Sequence, residues 1–403
     1  MKKSKVTYGM QVLLLVFLCL FVFNALPYPD SLRHGKYLWK LCIPLILFLL
    51  ILDRRLFDKE FARCNLYPWL PIVISNFVLL FVHGNLPAGT PLGNLLIIII
   101  AGALLSRAEL ITFEDLFKVN AATCFILVMS GLIDVFVFDC KVPGELINQN
   151  IFAGIAILLG GFLVLGCFEL NLSDERTKVL GLLIGIAAVI LALSTKCRTA
   201  LVCSFVLAIM VLFLTFKNYG VRKTIVTAFL LFLFVIAYFV FDRSLFFKIT
   251  KIATEFEGWR SSDEAVATSV GIRLAMWKFA FGDILPSYPF FGVGRMEGSQ
   301  IAKLFDYHQI DPAYISNWTH FHNDIVQMLV SGGWFQFLGG AGTLILLYRS
   351  ARKSVALLWL LLCGLVFGQT EIFFFRQNTF VCFATLWILY ALARASEGKE
   401  KML

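Results

Sequence analysis

Charged residues are scarce in this chain of 403 residues: Asp, Glu, Lys and Arg together make up 15% of it, against about 25% in ordinary soluble proteins. Hydrophobic residues make up 59%, and the mean hydropathy is +0.83. So little charge cannot cover the surface of a water-soluble domain, and it also excludes a disordered chain or a nucleic-acid-binding domain. The sequence therefore predicts an integral membrane protein.

Cysteines and common catalytic motifs are also sparse. The ten cysteines are scattered, mostly within apolar stretches, and form no CxxC pair, which excludes a small disulfide-stapled scaffold. Cys140 and Cys197 are both predicted on the outer side, and the sequence leaves open whether they pair. No phosphate-binding loop, HExxH or GxSxG motif stands in a supporting context. The long outer loop also lacks an acidic pair that would hold a divalent ion.

Apolar stretches long enough to cross a bilayer dominate the chain. A helix needs about 20 mostly apolar residues to cross a hydrocarbon layer about 30 Å thick. About twelve stretches qualify. They cover residues 9–26, 38–52, 68–82, 92–105, 120–138, 151–168, 179–193, 199–216, 224–241, 325–348, 355–375 and 380–393.

The distribution of Lys and Arg predicts the orientation of these spans. Basic residues in short connections resist translocation, and here they are concentrated in alternate connections that include both ends of the chain. Both termini are therefore predicted to be cytoplasmic. The sequence predicts nine spans within residues 1–241, one long outer loop over 242–323, and three spans with a cytoplasmic tail over 324–403.

The long loop is predicted to contain amphipathic helices. Within residues 264–281, Val270, Leu274, Trp277 and Phe281 recur at helical spacing and would form one apolar face. This pattern predicts a helix at or above the membrane surface. The fold class is thus an all-α polytopic membrane protein with one large loop.

A histidine-rich motif, Ser-Asn-Trp-Thr-His-Phe-His-Asn-Asp, closes the long loop. In one interpretation His320 and His322 carry proton chemistry, since an imidazole titrates near neutral pH, and Asn323 or Asp324 orients the ring. In a second, Asn323 and Asp324 cap the following helix and the histidines anchor it at the interface. Metal binding by the two histidines is the least favoured interpretation, because the sequence shows no third ligand.

Arginines on the predicted outer side are the other candidates. Arg198 lies with Lys196 at the break between two apolar spans, where a guanidinium either binds phosphate oxygens or extends to lipid headgroups. Arg273 lies on the polar side of the predicted loop helix. Glu371 and Arg376 are interpreted as a structural ion pair, with a phosphate contact by Arg376 as the alternative.

Three separated motifs together resemble the bacterial O-antigen ligase family. They are Ser-Thr-Lys-Cys-Arg-Thr-Ala, Gly-Ile-Arg-Leu-Ala-Met-Trp and the histidine-rich motif, in that order, with a large outer loop before the final spans. The resemblance extends from about the seventh span to the C-terminus. The first half of the chain is similar to the family only in hydropathy.

The resemblance implies a membrane-embedded glycosyltransferase of the C type in the bacterial inner membrane. Its active site would face the periplasm and use neither a metal nor another cofactor. Such ligases move a polysaccharide from undecaprenyl diphosphate to lipid A-core during lipopolysaccharide biosynthesis. By resemblance, Arg198 and Arg273 would bind the donor diphosphate and His322 would deprotonate the acceptor. His320, Asn323, Lys196 and Arg376 are possible supporting residues.

Related functions differ mainly in the acceptor. An O-antigen polymerase would use a second lipid-linked chain, and a protein O-oligosaccharyltransferase would use a pilin. A polysaccharide transporter is less favoured, because the unusual residues gather on one predicted face and few charges lie within the spans. The partners expected from the resemblance are the lipid-linked donor, lipid A-core and membrane lipids, with no nucleic acid.

Overall fold

A computed structural model describes residues 5–23, 35–52, 56–84, 92–106, 108, 110–143, 148–170, 172–241, 254, 269–294, 320–374 and 377–400. In these ranges every regular element is helical. The main helices are α1 (Lys5–Phe23), α2 (Gly35–Leu52), α3 (Lys59–Leu66), α4 (Leu70–His83), α5 (Leu92–Leu105), α6 (Phe113–Phe136), α7 (Gln149–Glu169), α8 (Glu175–Ser194), α9 (Arg198–Phe241), α10 (Ser269–Phe279), α11 (Asp324–Ala351), α12 (Val355–Gly368) and α13 (Gln377–Glu400).

The helices have the length and composition of a multi-pass membrane protein. Within the described ranges, seven apolar segments are long enough by length and composition to cross a bilayer, and four shorter apolar helices accompany them. The prediction of an all-helical polytopic membrane protein is confirmed in this general form. The total of twelve crossings and the chain divisions at residues 241 and 323 remain predictions.

α7 forms the centre of the bundle and contacts α6, α8, α9 and α12. From Ile151 to Cys167 all of its residues are buried. Glycines let its neighbours approach closely. The indole of Trp359 on α12 covers Gly161 and donates to the Leu158 carbonyl at 3.0 Å. By contrast α9, whose backbone leaves the helical conformation at Gly220, is mostly exposed from Phe216 to Ile236, as expected of a segment that faces lipid.

α11 is not one continuous span, contrary to the prediction for residues 325–348. Its backbone leaves the helical conformation at Gly333, where φ is 60° and ψ is −159°. Met328 and Gly340 would lie about 18 Å apart along an unbroken helix. Instead a Cβ atom on Gly340 would lie 2.4 Å from Met328 Sδ. The segment before Gly333 therefore folds back along the segment after it.

The connection over residues 289–294 satisfies the backbone groups that this break frees. Trp334 N donates to the Pro289 carbonyl at 2.8 Å, and Val293 N donates to the Val330 carbonyl at 2.9 Å. The two backbones are also very close here, because a Cβ atom on Gly333 would lie 2.5 Å from Phe290 O. The histidine motif lies at the start of α11. It is separated from the turn at Gly333 by a helical segment about 13 Å long.

Candidate active site

Two imidazoles and one carboxylate meet where α11 begins. His320 Nε2 lies 2.8 Å from Glu371 Oε1, and His322 Nδ1 lies 3.1 Å from the same oxygen. The two rings are 4.3 Å apart between centroids. Glu371 belongs to the connection between α12 and α13, about 50 residues further along the chain. The His-x-His spacing therefore places both rings beside a third ionisable group.

The hydrogen bonds fix which nitrogen of each ring carries a proton. An ionised carboxylate only accepts, so His320 donates from Nε2 and His322 donates from Nδ1. His322 Nε2 then keeps its lone pair. The side chain of His322 is 31% exposed, twice as much as that of His320 at 15%, while that of Glu371 is 5% exposed. His322 is thus the ring better placed to accept a proton from a bound molecule.

The charge on Glu371 depends on these two histidines. Burial alone would raise the pKa of the Glu371 carboxyl. The hydrogen bonds from His320 and His322 outweigh burial and hold that pKa well below its ordinary value. Glu371 therefore carries a negative charge at neutral pH. Its second oxygen, Oε2, is buried and accepts no hydrogen bond from any residue that the structure describes.

Neighbouring residues hold the motif in an unusual backbone conformation. His322 has a φ of 51°, in the left-handed region that non-glycine residues seldom adopt. Asn323 caps α11, its Oδ1 accepting from Ile325 N and Val326 N at 2.8 and 3.0 Å. Its amide donates to the Gln369 carbonyl at 3.0 Å. These bonds tie the motif to the same connection that supplies Glu371.

The prediction that Asn323 or Asp324 orients the imidazole stays a prediction, although the hydrogen bonds to both rings described above come from Glu371. Asn323 is the helix cap of the alternative interpretation. Asp324 Oδ2 instead accepts from Phe373 N and Phe374 N at 3.1 and 3.0 Å, which fixes the turn beyond Glu371. The orienting carboxylate is Glu371, whose predicted partner, Arg376, lies outside the described residues.

Arg198 is the first residue of α9 and lies near this connection. The adjacent Thr199 hydroxyl is 2.5 Å from the Thr370 hydroxyl, and Thr370 precedes Glu371. Lys196 forms the turn before α9 with a left-handed φ of 59°. The structure shows no disulfide between Cys140 and Cys197. The α8–α9 turn thus places Arg198 next to a residue that contacts the connection carrying Glu371.

Arg273 reaches the same region on α10. This helix packs against Phe321, the residue between the two histidines, through an apolar cluster that also contains Ala275, Met276 and Phe279. Arg273 is half-buried and precedes Met276 by three residues, so the two share a helix face. That face carries the arginine toward the histidine motif.

The predicted apolar face of this loop helix is only in part the one by which it attaches, since Trp277 packs against the buried cluster. Phe281 is 48% exposed, and Val270, Leu274 and Trp277 are half-buried. The fully buried contacts of α10 come from Ala275, Met276 and Phe279, which belong to the same cluster as Phe321.

Part of the chain that carries these residues matches a known family. Residues 180–339 match the family model described as O-antigen ligase. This match supports an assignment of the chain to the O-antigen ligase family. The matched region contains Arg198, Arg273 and the histidine motif of the family resemblance, whereas Glu371 lies beyond it. A search of the curated proteins finds no match to this chain.

The family assignment and the apolar helices together describe a multi-pass membrane enzyme of glycosyltransferase type. Glu371 was not predicted as part of the ligase-family site. Its only signal in the sequence is an acidic residue within an otherwise apolar stretch, where a charge requires a partner. The sequence does not name that partner, because the partner histidines belong to a different helix connection.

Proposed function

We propose that this chain is an O-antigen ligase that transfers a polysaccharide from undecaprenyl diphosphate to lipid A-core. The enzyme would act at the periplasmic face of the bacterial inner membrane, with both termini in the cytoplasm. One observation supports the proposal most: Glu371 fixes the Nδ1–H form of His322 and leaves Nε2 as a proton acceptor on the more exposed side of the cluster. A glycosyl transfer to a hydroxyl requires such a base.

The proposed transfer needs no reactant other than the lipid-linked donor and the acceptor hydroxyl. The acceptor hydroxyl gives its proton to His322 Nε2 while its oxygen attacks the anomeric carbon of the donor sugar. The bond from that carbon to the diphosphate oxygen breaks, and the configuration inverts. Undecaprenyl diphosphate leaves with the bonding electrons, and Arg198 and Arg273 stabilise its negative charge. The proton on His322 then passes to solvent.

Glu371 acts through His322 in this mechanism and is a positioning residue. We expect Glu371→Gln to keep the size of the side chain and an acceptor oxygen but to remove the charge that stabilises the imidazolium. The kcat should fall about 10- to 100-fold, while the acceptor KM stays close to that of the parent. Initial rates at varied acceptor concentration measure this separation of kcat from KM.

A purely structural role for Glu371 would give a different pattern. The matched control is Glu371→Ala, which also removes the acceptor for both rings. If Glu371→Gln has the parent kcat while Glu371→Ala is thermally destabilised, the carboxylate only supports the fold. The thermal unfolding midpoint of both variants in detergent makes that distinction.

The acceptor is tested by offering the purified enzyme, in liposomes with a lipid-linked donor, three acceptors side by side. These are lipid A-core, a pilin and a second lipid-linked chain. We expect transfer to lipid A-core, and an unchanged rate in EDTA because arginines neutralise the diphosphate in this proposal. Transfer only to the second chain would identify a polymerase, and transfer only to pilin a protein O-oligosaccharyltransferase. A requirement for Mg²⁺ would contradict the proposed mechanism.

A further inference from the structure

The His320, His322 and Glu371 cluster has the composition of a transition-metal site. Two imidazole nitrogens and a carboxylate oxygen lie within 4.8 Å of one another. This donor set suits Zn²⁺, whereas Mg²⁺ and Ca²⁺ prefer oxygen ligands alone. The sequence alone shows no third ligand for the histidine pair, whereas the structure places Glu371 beside it.

The distances are close to those that zinc requires. Ligand atoms at about 2.0–2.1 Å from a tetrahedral zinc ion are about 3.3 Å apart. Glu371 Oε1 is already 2.8 Å from one ring nitrogen and 3.1 Å from the other. These two separations need to widen by only a few tenths of an ångström, and the two ring nitrogens lie within 4.8 Å of each other.

The carboxylate also has unused capacity to bind a cation. All the hydrogen bonds that Glu371 accepts from described residues end on Oε1: those of the two histidines and a longer one, 3.4 Å, from Ile372 N. Oε2 is buried and accepts none from the residues that the structure describes. A buried carboxylate oxygen without a donor is costly, and a metal ion would satisfy it. The partial exposure of His322 leaves a route to the cluster and a position for water as the fourth ligand.

We propose that Zn²⁺ binds His320, His322 and Glu371 and that it inhibits the enzyme. A ring nitrogen that binds zinc cannot carry a proton, so coordination through Nδ1 of His322 moves the ring proton to Nε2. The nitrogen that accepts the proton of the hydroxyl is then occupied. Zinc binding itself is independent of the reaction, whereas the inhibition depends on the proposed function.

The binding test uses the full chain, purified in detergent without a polyhistidine tag, and Zn²⁺ in competition with a chromogenic chelator. We expect one zinc ion per chain at this cluster. The affinity should fall about tenfold or more in His320→Gln and in Glu371→Gln. The glutamine amide in His320→Gln lies near the position of Nε2 and can still donate to Glu371, so this variant removes a ligand with little change in shape. X-ray absorption should show ligands at about 2.0–2.1 Å.

The matched control is His83→Gln, because His83 Nε2 bonds to the Phe291 carbonyl at 2.8 Å, on another helix. Its zinc affinity should equal that of the parent. No binding by the parent, or equal affinity in all three variants, would overturn the metal site.

The transfer assay is then run with Zn²⁺, each variant being compared with its own zinc-free rate. We expect zinc to inhibit the parent, EDTA to reverse this inhibition, and His320→Gln to need about tenfold more zinc. Zinc bound at the cluster without inhibition would overturn the inhibitory role. A chain that binds zinc as expected but transfers no glycan under any condition would leave the metal site standing and contradict the proposed function.

Discussion

His322→Asn is expected to abolish glycan transfer while leaving the chain folded. Asparagine tolerates the left-handed backbone of residue 322 better than most residues do, and its amide nitrogen lies near the position of Nδ1. Asparagine can thus still donate a hydrogen bond to Glu371, but it has no atom that could accept a proton in place of Nε2. Loss of a general base lowers a rate about 10²- to 10⁴-fold, so single-turnover transfer from a lipid-linked donor should fall by this factor.

The control for this variant is His83→Gln, which alters a histidine at the end of α4 that bonds to the Phe291 carbonyl and keeps its hydrogen-bond donor. It should transfer at the parent rate. Membrane insertion and the thermal midpoint of His322→Asn should also match the parent. Transfer by His322→Asn within a factor of a few of the parent would remove the imidazole from the mechanism and leave the histidine as an anchor of α11.

The general fold follows from hydropathy, but the turn within α11 does not. A span is recognised by about 20 apolar residues, and residues 325–348 satisfy this measure whether or not the helix reverses. The pair Gly332 and Gly333 indicates a weak point, since glycine lowers helix stability. What decides the reversal is the set of backbone bonds from residues 289–294, and these come from a different part of the chain.

The site divides in the same way between local and distant residues. His320, His322 and Asn323 are predicted from one motif, because their spacing alone places two rings beside a helix N-terminus. Glu371 was assigned to a nearby arginine, as proximity in sequence suggests. Its pairing with the histidines depends on how α11 folds back against the end of α12, which no local pattern encodes.

Replacing Arg198 or Arg273 by glutamine is expected to lower kcat/KM for the lipid-linked donor by about 10²- to 10³-fold each, the usual cost of losing one donor to a developing anion. Lysine should restore part of the loss, because it supplies the charge without the planar fork. Lys278→Gln is the matched control for Arg273, since Lys278 lies on the same helix and is exposed. It should leave kcat/KM unchanged.

The double variant decides whether both arginines bind one diphosphate. Two arginines that contact the same leaving group are coupled, so Arg198→Gln with Arg273→Gln should lose less than the product of the two single losses. This coupling is expected because Arg198 adjoins Thr199, which contacts Thr370, while the helix of Arg273 packs against Phe321. Independent effects that multiply fully would mean that the two guanidinium groups act at separate places, and the shared diphosphate site would be wrong.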